Sequence, residues 1–218
     1  MTERSVLVTL FMKDKTRARY HRPRPPNAPL HFRNQQHAPP ATLPHDTIEL
    51  FVAGDADARK KDAPPPPAGC GVVAVESGSD ERIFTICGQI TTATPGVKTV
   101  TGNLAALVAF TRALLWAAQD PLANPILARG QADRPICIRY ANEYAAMIAT
   151  GVWKPKKHKA MAEKARQAWK RLKRQKGERL WIQHAHQHNV RDGEWLGEAL
   201  HRAAQGKHGA SMYAADVS

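Results

Sequence analysis

The chain has 218 residues, 43% of them hydrophobic, and a formal net charge of +13. That length holds one full-sized domain with extensions. No apolar run approaches the ~18 residues that a membrane span needs, which excludes a transmembrane helix and predicts a soluble protein. The charge is unevenly placed. Residues 1–47 hold eight Lys/Arg against three acids and residues 154–176 hold eleven against one, while the stretches 48–153 and 177–218 each lie within one charge of neutrality. A near-neutral domain with two cationic attachments is the expected footprint of a polyanion partner. A solvated charged face, or a basic surface that meets acidic proteins, is the alternative.

Residues 1–46 open with SVLVTLFM and pass into a stretch crowded with proline, arginine, histidine and asparagine. Such a composition cannot bury a core and predicts an extended basic arm, with Arg17, Arg19, Arg22 and Arg24 as candidate phosphate contacts. Its Arg-rich, acid-poor opening also resembles a mitochondrial targeting peptide, which makes the mitochondrion the expected compartment and the cytoplasm the alternative.

The globular domain is expected over 47–206, with a tail at 207–218. TIELFVAG (47–54), GCGVVAVES (69–77) and RIFTICGQIT (82–91) read as three strands, the last two joined by a polar turn; a loop with Pro64 to Pro67 separates the first two. Thr101 is the expected N-cap of an amphipathic helix running to Ala118. RPICIRYA is a fourth strand, NEYAAMIATG a short helix, RLWIQHAH a fifth strand and GEWLGEALHRAA a closing helix. Three short-linked strands followed by strand–helix alternation predict an α/β fold: a five-stranded mixed sheet, antiparallel and then parallel, flanked by helices. Cys70, Cys87 and Cys137 are odd in number, widely spaced and set in apolar segments, so they read as buried reduced thiols.

Between the short helix and the fifth strand lies a basic segment, residues 154–176. Met161, Ala165, Ala168, Trp169 and Leu172 recur at spacings of three and four and form one stripe for packing. The cations fill the rest of the circumference and are the main candidates for RNA contact. Lys154, Lys156, Lys157 and Lys159 lead in, Lys164 and Arg166 follow, and Lys170, Arg171, Lys173, Arg174 and Lys176 close the segment. Contacts of this kind grip phosphate and do not read sequence. Trp153 reads as a packing residue rather than a stacking platform. In HAHQH, His184, His186 and His188 share one face of a strand. Imidazoles at that spacing can converge on a metal, but no acid or cysteine partner accompanies them, so no metal and no cofactor is expected.

Four segments resemble the ribonuclease H type 1 family in the family's order. FVAGDA…GCGVVAV is similar to its first hairpin, in which a strand ends in Thr-Asp-Gly. TGNLAAL is similar to its Thr-Asn-Asn-x-x-Glu-Leu helix start, IRYANEYAAMIATGVWKPKK to its Asp-Ser-x-Tyr segment, and HAHQHNVRDGEWLGEALHRAA to its histidine loop and final acidic helix. The resemblance implies a fold of that type and, in active members, cleavage of RNA in RNA–DNA hybrids by two divalent ions held on four carboxylates. Two such ions close together need acidic oxygen ligands to share and neutralise them. Carried over position by position, the first three carboxylates fall on Ala53, Ala106 and Ala141. Glu198 stands for the fourth, with Gly197 as the choice one residue earlier, and Asp55 replaces the first if the strand slips by two. His188 matches the family's loop histidine, and active relatives often carry a basic helix where 154–176 lies.

The resulting expectation is a catalytically degenerate, RNA-binding structural protein of a large ribonucleoprotein. A mitochondrial ribosome is the best single case, with ribosomal RNA and neighbouring proteins as partners and no membrane. The alternatives are an unusual ribonuclease H using Asp55, Glu198 and Glu143, or a protein-interaction module.

Overall fold

The computed structural model describes residues 38–57, 67–94, 97, 99–119, 133–185, 189–209 and 212–215. Arg17, Arg19, Arg22, Arg24, His186 and His188 lie outside the described residues. In chain order the elements are β1 (Ile48–Ala56), β2 (Ala68–Glu76), β3 (Arg82–Ile90), α1 (Gly102–Ala117), β4 (Ile136–Tyr140), α2 (Glu143–Ala149), α3 (Lys159–Lys176), β5 (Leu180–His184), α4 (Val190–Lys207) and β6 (Met212–Ala215). The strands form one sheet in the order β5-β4-β1-β2-β3-β6. β1, β2 and β3 pair antiparallel, whereas β4 and β5 add in parallel beyond β1. The five-stranded mixed sheet expected from the sequence is present. A sixth strand joins it: β6 pairs antiparallel with β3 through Phe84 to Cys87, so residues 212–215 of the expected tail belong to the sheet.

β1 sits in the middle and is covered on both faces, which explains why its sequence is almost continuously apolar. Ile48, Leu50 and Val52 point to the side of α1, and Phe51 and Ala53 to the side of α4. α1 packs against β1 and β2, with α2 and α3 stacked over it, and α4 crosses β1, β2 and β3 on the opposite face. Because α1 lies between the sheet and two further helices, it is buried around most of its circumference rather than amphipathic. Thr101 caps it as expected, its hydroxyl accepting from the Leu104 amide at 3.2 Å. The helix of the basic segment starts at Lys159, five residues later than expected, because 154–158 forms an irregular lead-in. α4 starts earlier than expected, at Val190, where the Asn189 side chain accepts from the Asp192 amide at 3.2 Å.

The α4 face is held by close backbone approach. A Cβ at Gly71 would overlap the Ala199 carbonyl, one at Gly69 the Ala203 carbonyl and the Lys207 amide, and one at Gly206 the backbone of Gly88. On the other face a Cβ at Gly54 would overlap the Ala106 amide of α1. All three cysteines are buried and none forms a disulfide; burial pushes the thiols of Cys70 and Cys137 up to about 11 and about 12.

Glu49, next to Ile48 and Leu50 on the central strand, is fully buried on the α4 face. Arg139 of β4 donates to its Oε2 at 2.6 Å and also to Gln183 of β5. Arg191 of α4 donates to Glu49 Oε1 at 2.6 Å and to Asp80 in the β2–β3 turn at 2.6 Å. Asp192 Oδ2 lies 4.0 Å from the Arg139 guanidinium. One carboxylate therefore ties β1, β4 and α4 together, and its two arginines extend the network to β5 and the β2–β3 turn. Removing one partner of a buried ion pair strands the other's charge, at a cost of about 3–5 kcal/mol, whereas replacing both with apolar groups often costs little. Glu49→Ala is accordingly expected to lose about 3 kcal/mol or more in urea denaturation, and the pair E49L/R139M much less than Glu49→Ala alone.

Candidate functional site

The ends of β1 and β4 and the starts of α1 and α2 meet at one edge of the domain. Val52 pairs with Tyr140, so Ala141 follows at the level of Ala53, and Gly54 sits against the Ala106 amide. The positions of Ala53, Ala106 and Ala141 are thus gathered at one end of the sheet. Ala53 and Ala106 are buried, and Ala141 is exposed. Asn142 caps α2 by accepting from the Ala145 amide at 3.1 Å, and its side-chain amide donates to Asn103 Oδ1 of α1 at 3.1 Å. The two helix starts are pinned to each other by this pair.

Glu198 is not part of that cluster. It lies 2.7 Å from Arg202 and 3.5 Å from Arg82, whose strand position is opposite Val75, whereas Ala53 is opposite Gly71. Glu198 and Lys207 are nine residues apart on α4, about 180° around the helix at ~100° per residue. Lys207 faces the end of β1: its Nζ lies 2.8 Å from Asp55 and 3.0 Å from Asp57. Its pKa is raised, first by the hydrogen bond to Asp55 and then by that to Asp57. His184 ends β5 with its ring edge-on to Tyr140, centroids 5.5 Å apart. Among the described residues no group of three or more His, Cys, Asp or Glu is placed to hold a metal ion.

Beside this edge a groove is lined by Thr101, Gly102 and Asn103 at the start of α1, Tyr144 of α2, and Lys156, Lys157 and His158 before α3. Burial and the neighbouring Lys157 charge hold the His158 pKa below its ordinary value. The groove offers lysine ammoniums, an imidazole and the amide end of a 16-residue helix, all groups that favour an anion. It runs directly into the outward surface of α3. Lys159, Lys164, Lys170, Arg171 and Arg174 are exposed there, preceded by exposed Lys154, Lys156 and Lys157. Glu163, hydrogen-bonded to Gln167 at 3.1 Å, is the one exposed acid among them.

Three of the cations expected to face a partner are instead used inside the domain. Arg166 donates to the Ile148 carbonyl at 3.1 Å and the Trp153 carbonyl at 2.6 Å, closing the end of α2. Lys176 is buried and donates to the Arg134 carbonyl at 3.0 Å; burial lowers its pKa. Lys173 donates to the Gly177 carbonyl at 2.8 Å and lies near Glu178. Arg166 and Lys173 share one cause, since the last carbonyls of a helix and the turn beyond it need donors and long cationic side chains supply them, whereas Lys176 satisfies a carbonyl at the entrance to β4. The apolar stripe of α3 is buried as expected, and Trp153 packs half-buried against the core.

No family model matches the chain, and none of the curated proteins does. Solved structures do. The ribonuclease H domain of prototype foamy virus is 17% identical, covering 74% of this chain and 94% of the domain at a TM-score of 0.51. The amino-terminal ribonuclease H domain of a Mycobacterium tuberculosis protein is 12% identical over 74% of this chain and 94% of that one, at 0.50. LC9-RNase H1 is 14% identical over 80% and 77%, at 0.50. The chain has a ribonuclease H-like fold. In that fold the two-ion centre implied by the sequence resemblance would fall at the end of β1, where Ala53, Ala106 and Ala141 offer methyl groups, Glu198 is turned away and Asp55 already holds an ammonium. This donor set does not fit two divalent ions, each of which takes several oxygen ligands.

The network around Glu49, the Lys207 contacts and the groove escaped the reading of the sequence. A lone acid in TIELFVAG and a lone arginine in ICIRY, each inside an apolar strand, were the available signal for the first. The division of labour in the basic segment separates stability from binding. Arg166→Ala and Lys176→Met are each expected to lower the thermal midpoint by several degrees, as loss of about 1–2 kcal/mol would. Lys170→Ala and Arg171→Ala should leave it within about 0.5 kcal/mol of the original, as exposed sites do.

Proposed function

We propose that this ribonuclease H-like domain binds nucleic acid through its cationic surface without cleaving it, and serves as a structural RNA-binding component of a large ribonucleoprotein. The observation that carries the proposal is the continuous surface formed by the groove and α3, where eight exposed Lys/Arg face outward against one exposed acid. A face kept only for solubility mixes both signs; this one does not. α3 has 18 residues, so its cations extend along about 27 Å at 1.5 Å per residue, enough for several successive phosphates. The cations of α3 are suited to phosphate contacts, which position without specifying sequence.

The non-catalytic part rests on the donor set at the end of β1, where methyl groups stand at three of the four positions carried over from the family. The ribosomal assignment, with ribosomal RNA and neighbouring proteins as partners, rests on the basic, proline-rich residues 1–46, a composition suited to an arm threaded through RNA. The mitochondrial compartment rests on the Arg-rich, acid-poor opening of that arm. An active ribonuclease H built on Asp55, Glu143 and Glu198 is the competing reading. Against it stands the place of Glu198, paired with Arg202 and Arg82.

Two measurements test the proposal. Affinity for a structured RNA, taken across a salt series, should fall with a slope of log K against log salt near −4, as expected for about five neutralised phosphates. Combined K164E, K170E, R171E and R174E should lower affinity at least about 100-fold while preserving the far-ultraviolet circular dichroism; a flat salt dependence would point to a protein partner. Incubation with an RNA–DNA hybrid and Mg²⁺ or Mn²⁺ should give no cleavage, and cleavage that disappears in Asp55→Asn would establish the enzyme reading.

A further inference from the structure

We propose that Lys207 is a resident counter-ion for the carboxylate end of β1, its ammonium standing between Asp55 and Asp57 as a divalent cation would, so that the domain meets a phosphate backbone without metal. The proposal rests on the nucleic-acid-binding reading for its purpose, but its geometry is independent of that reading.

Asp55 lies two residues beyond Ala53 on the same face of β1, because side chains of a strand alternate. Its carboxylate and that of Asp57 both reach a single group, Lys207 Nζ, at 2.8 and 3.0 Å. The lysine is delivered there by built features. It is the last residue of α4, where a cation also complements the helix's negative end. The helix end is seated in backbone contact with the sheet: Gly69, paired with Asp55, has no room for a Cβ against the Ala203 carbonyl and the Lys207 amide. Gly206 sits equally close to Gly88 on β3. Gln89 adds a hydrogen bond from its side-chain amide to the Lys207 carbonyl at 3.2 Å. The side chain of Lys207 is only 12% exposed, so it is not a wandering surface cation.

The consequence is electrostatic. Without the lysine, two neighbouring carboxylates would leave two uncompensated negative charges at the end of β1 and repel a phosphate approaching that edge of the domain. A divalent cation could offset them, and the family's chemistry supplies one; here a covalently attached cation does so, with the net charge of the three groups reduced to −1. Two carboxylates are too few to hold Mg²⁺ or Mn²⁺ tightly, and an occupying ammonium competes directly with the ion.

The test removes the ammonium and keeps the stem. Lys207→Met and Lys207→Gln are compared with the original chain by Mn²⁺ electron paramagnetic resonance titration, with circular dichroism verifying the fold. The original chain is expected to bind no Mn²⁺ at about 1 mM, each variant to gain one weak site at about that concentration, as a two-carboxylate site allows, and D55N/K207M to lose it. RNA affinity of the original chain should be the same in chelator and in Mg²⁺, whereas that of the variants should fall several-fold in chelator and recover with Mg²⁺. Folded variants that gain no Mn²⁺ site and keep metal-independent RNA affinity would overturn the proposal. So would Mn²⁺ binding by the original chain at Asp55. Failure of all RNA binding would remove the nucleic-acid reading, and the Mn²⁺ titration, which uses no RNA, would still decide whether Lys207 takes the place of a metal.

Discussion

The buried carboxylate of Glu49 sets the terms on which the sheet's second face can be covered. An ionised acid inside an apolar strand is tolerable only when its oxygens are met by charged donors in good geometry. Arg139 comes from the adjoining strand and Arg191 from α4, which fixes the start of that helix over β1 and β4. From there α4 crosses toward β3, and the glycines at 69 and 71 of the sheet and at 206 of the helix let its backbone descend onto the sheet. The small apolar cluster of Phe51, Ala53, Val73, Val75, Leu196 and Ala199 fills the middle of the crossing. Polar anchoring at one end, close backbone contact in the middle and Lys207 at the other end together hold one helix in one register. Hydrophobic burial alone specifies register weakly on so small a cluster.

The cationic segment shows how one composition serves two purposes. A charge count treats its eleven Lys/Arg alike, yet Arg166 and Lys173 complete the hydrogen bonding of helix ends, Lys176 that of the entrance to β4, while the others face outward. The difference follows from position around α3. Residues near the apolar stripe reach over it and find carbonyls within the domain; residues on the opposite arc find only solvent or a partner. A long aliphatic stem suits the first group because it lies along apolar surface while its charged head reaches a polar group.

Fold class was legible in the sequence because it depends on periodicity and order: three strands in succession, then alternation, leave few sheets to build. The cap at Thr101 and the packing stripe of α3 were legible for the same local reason. β6 was not, since its few residues follow a glycine-containing turn and acquire strand character only by pairing with β3. Nor was the enclosure of α1, whose exposure is decided by two helices packed over it rather than by its own pattern. At the candidate site, Ala53, Ala106 and Ala141 could be brought together on paper because each sits at a junction of elements. Glu198 could not be placed, because one residue of helix register turns a side chain by about 100°. Its attachment to Arg82 and Arg202 resolves that ambiguity away from the cluster.

The end of β1 therefore joins two facts that belong together physically. Ala53, Ala106 and Ala141 place methyl groups at this edge, and the Lys207 ammonium brings a positive charge to the acids beside them. An acid two residues further on, left alone, would add uncompensated negative charge to this edge of the domain. Placing an ammonium on that acid restores the balance without demanding a coordination shell: three flexible donors on a compact charge are satisfied by two carboxylate oxygens, where a divalent ion would require several oxygens in fixed geometry.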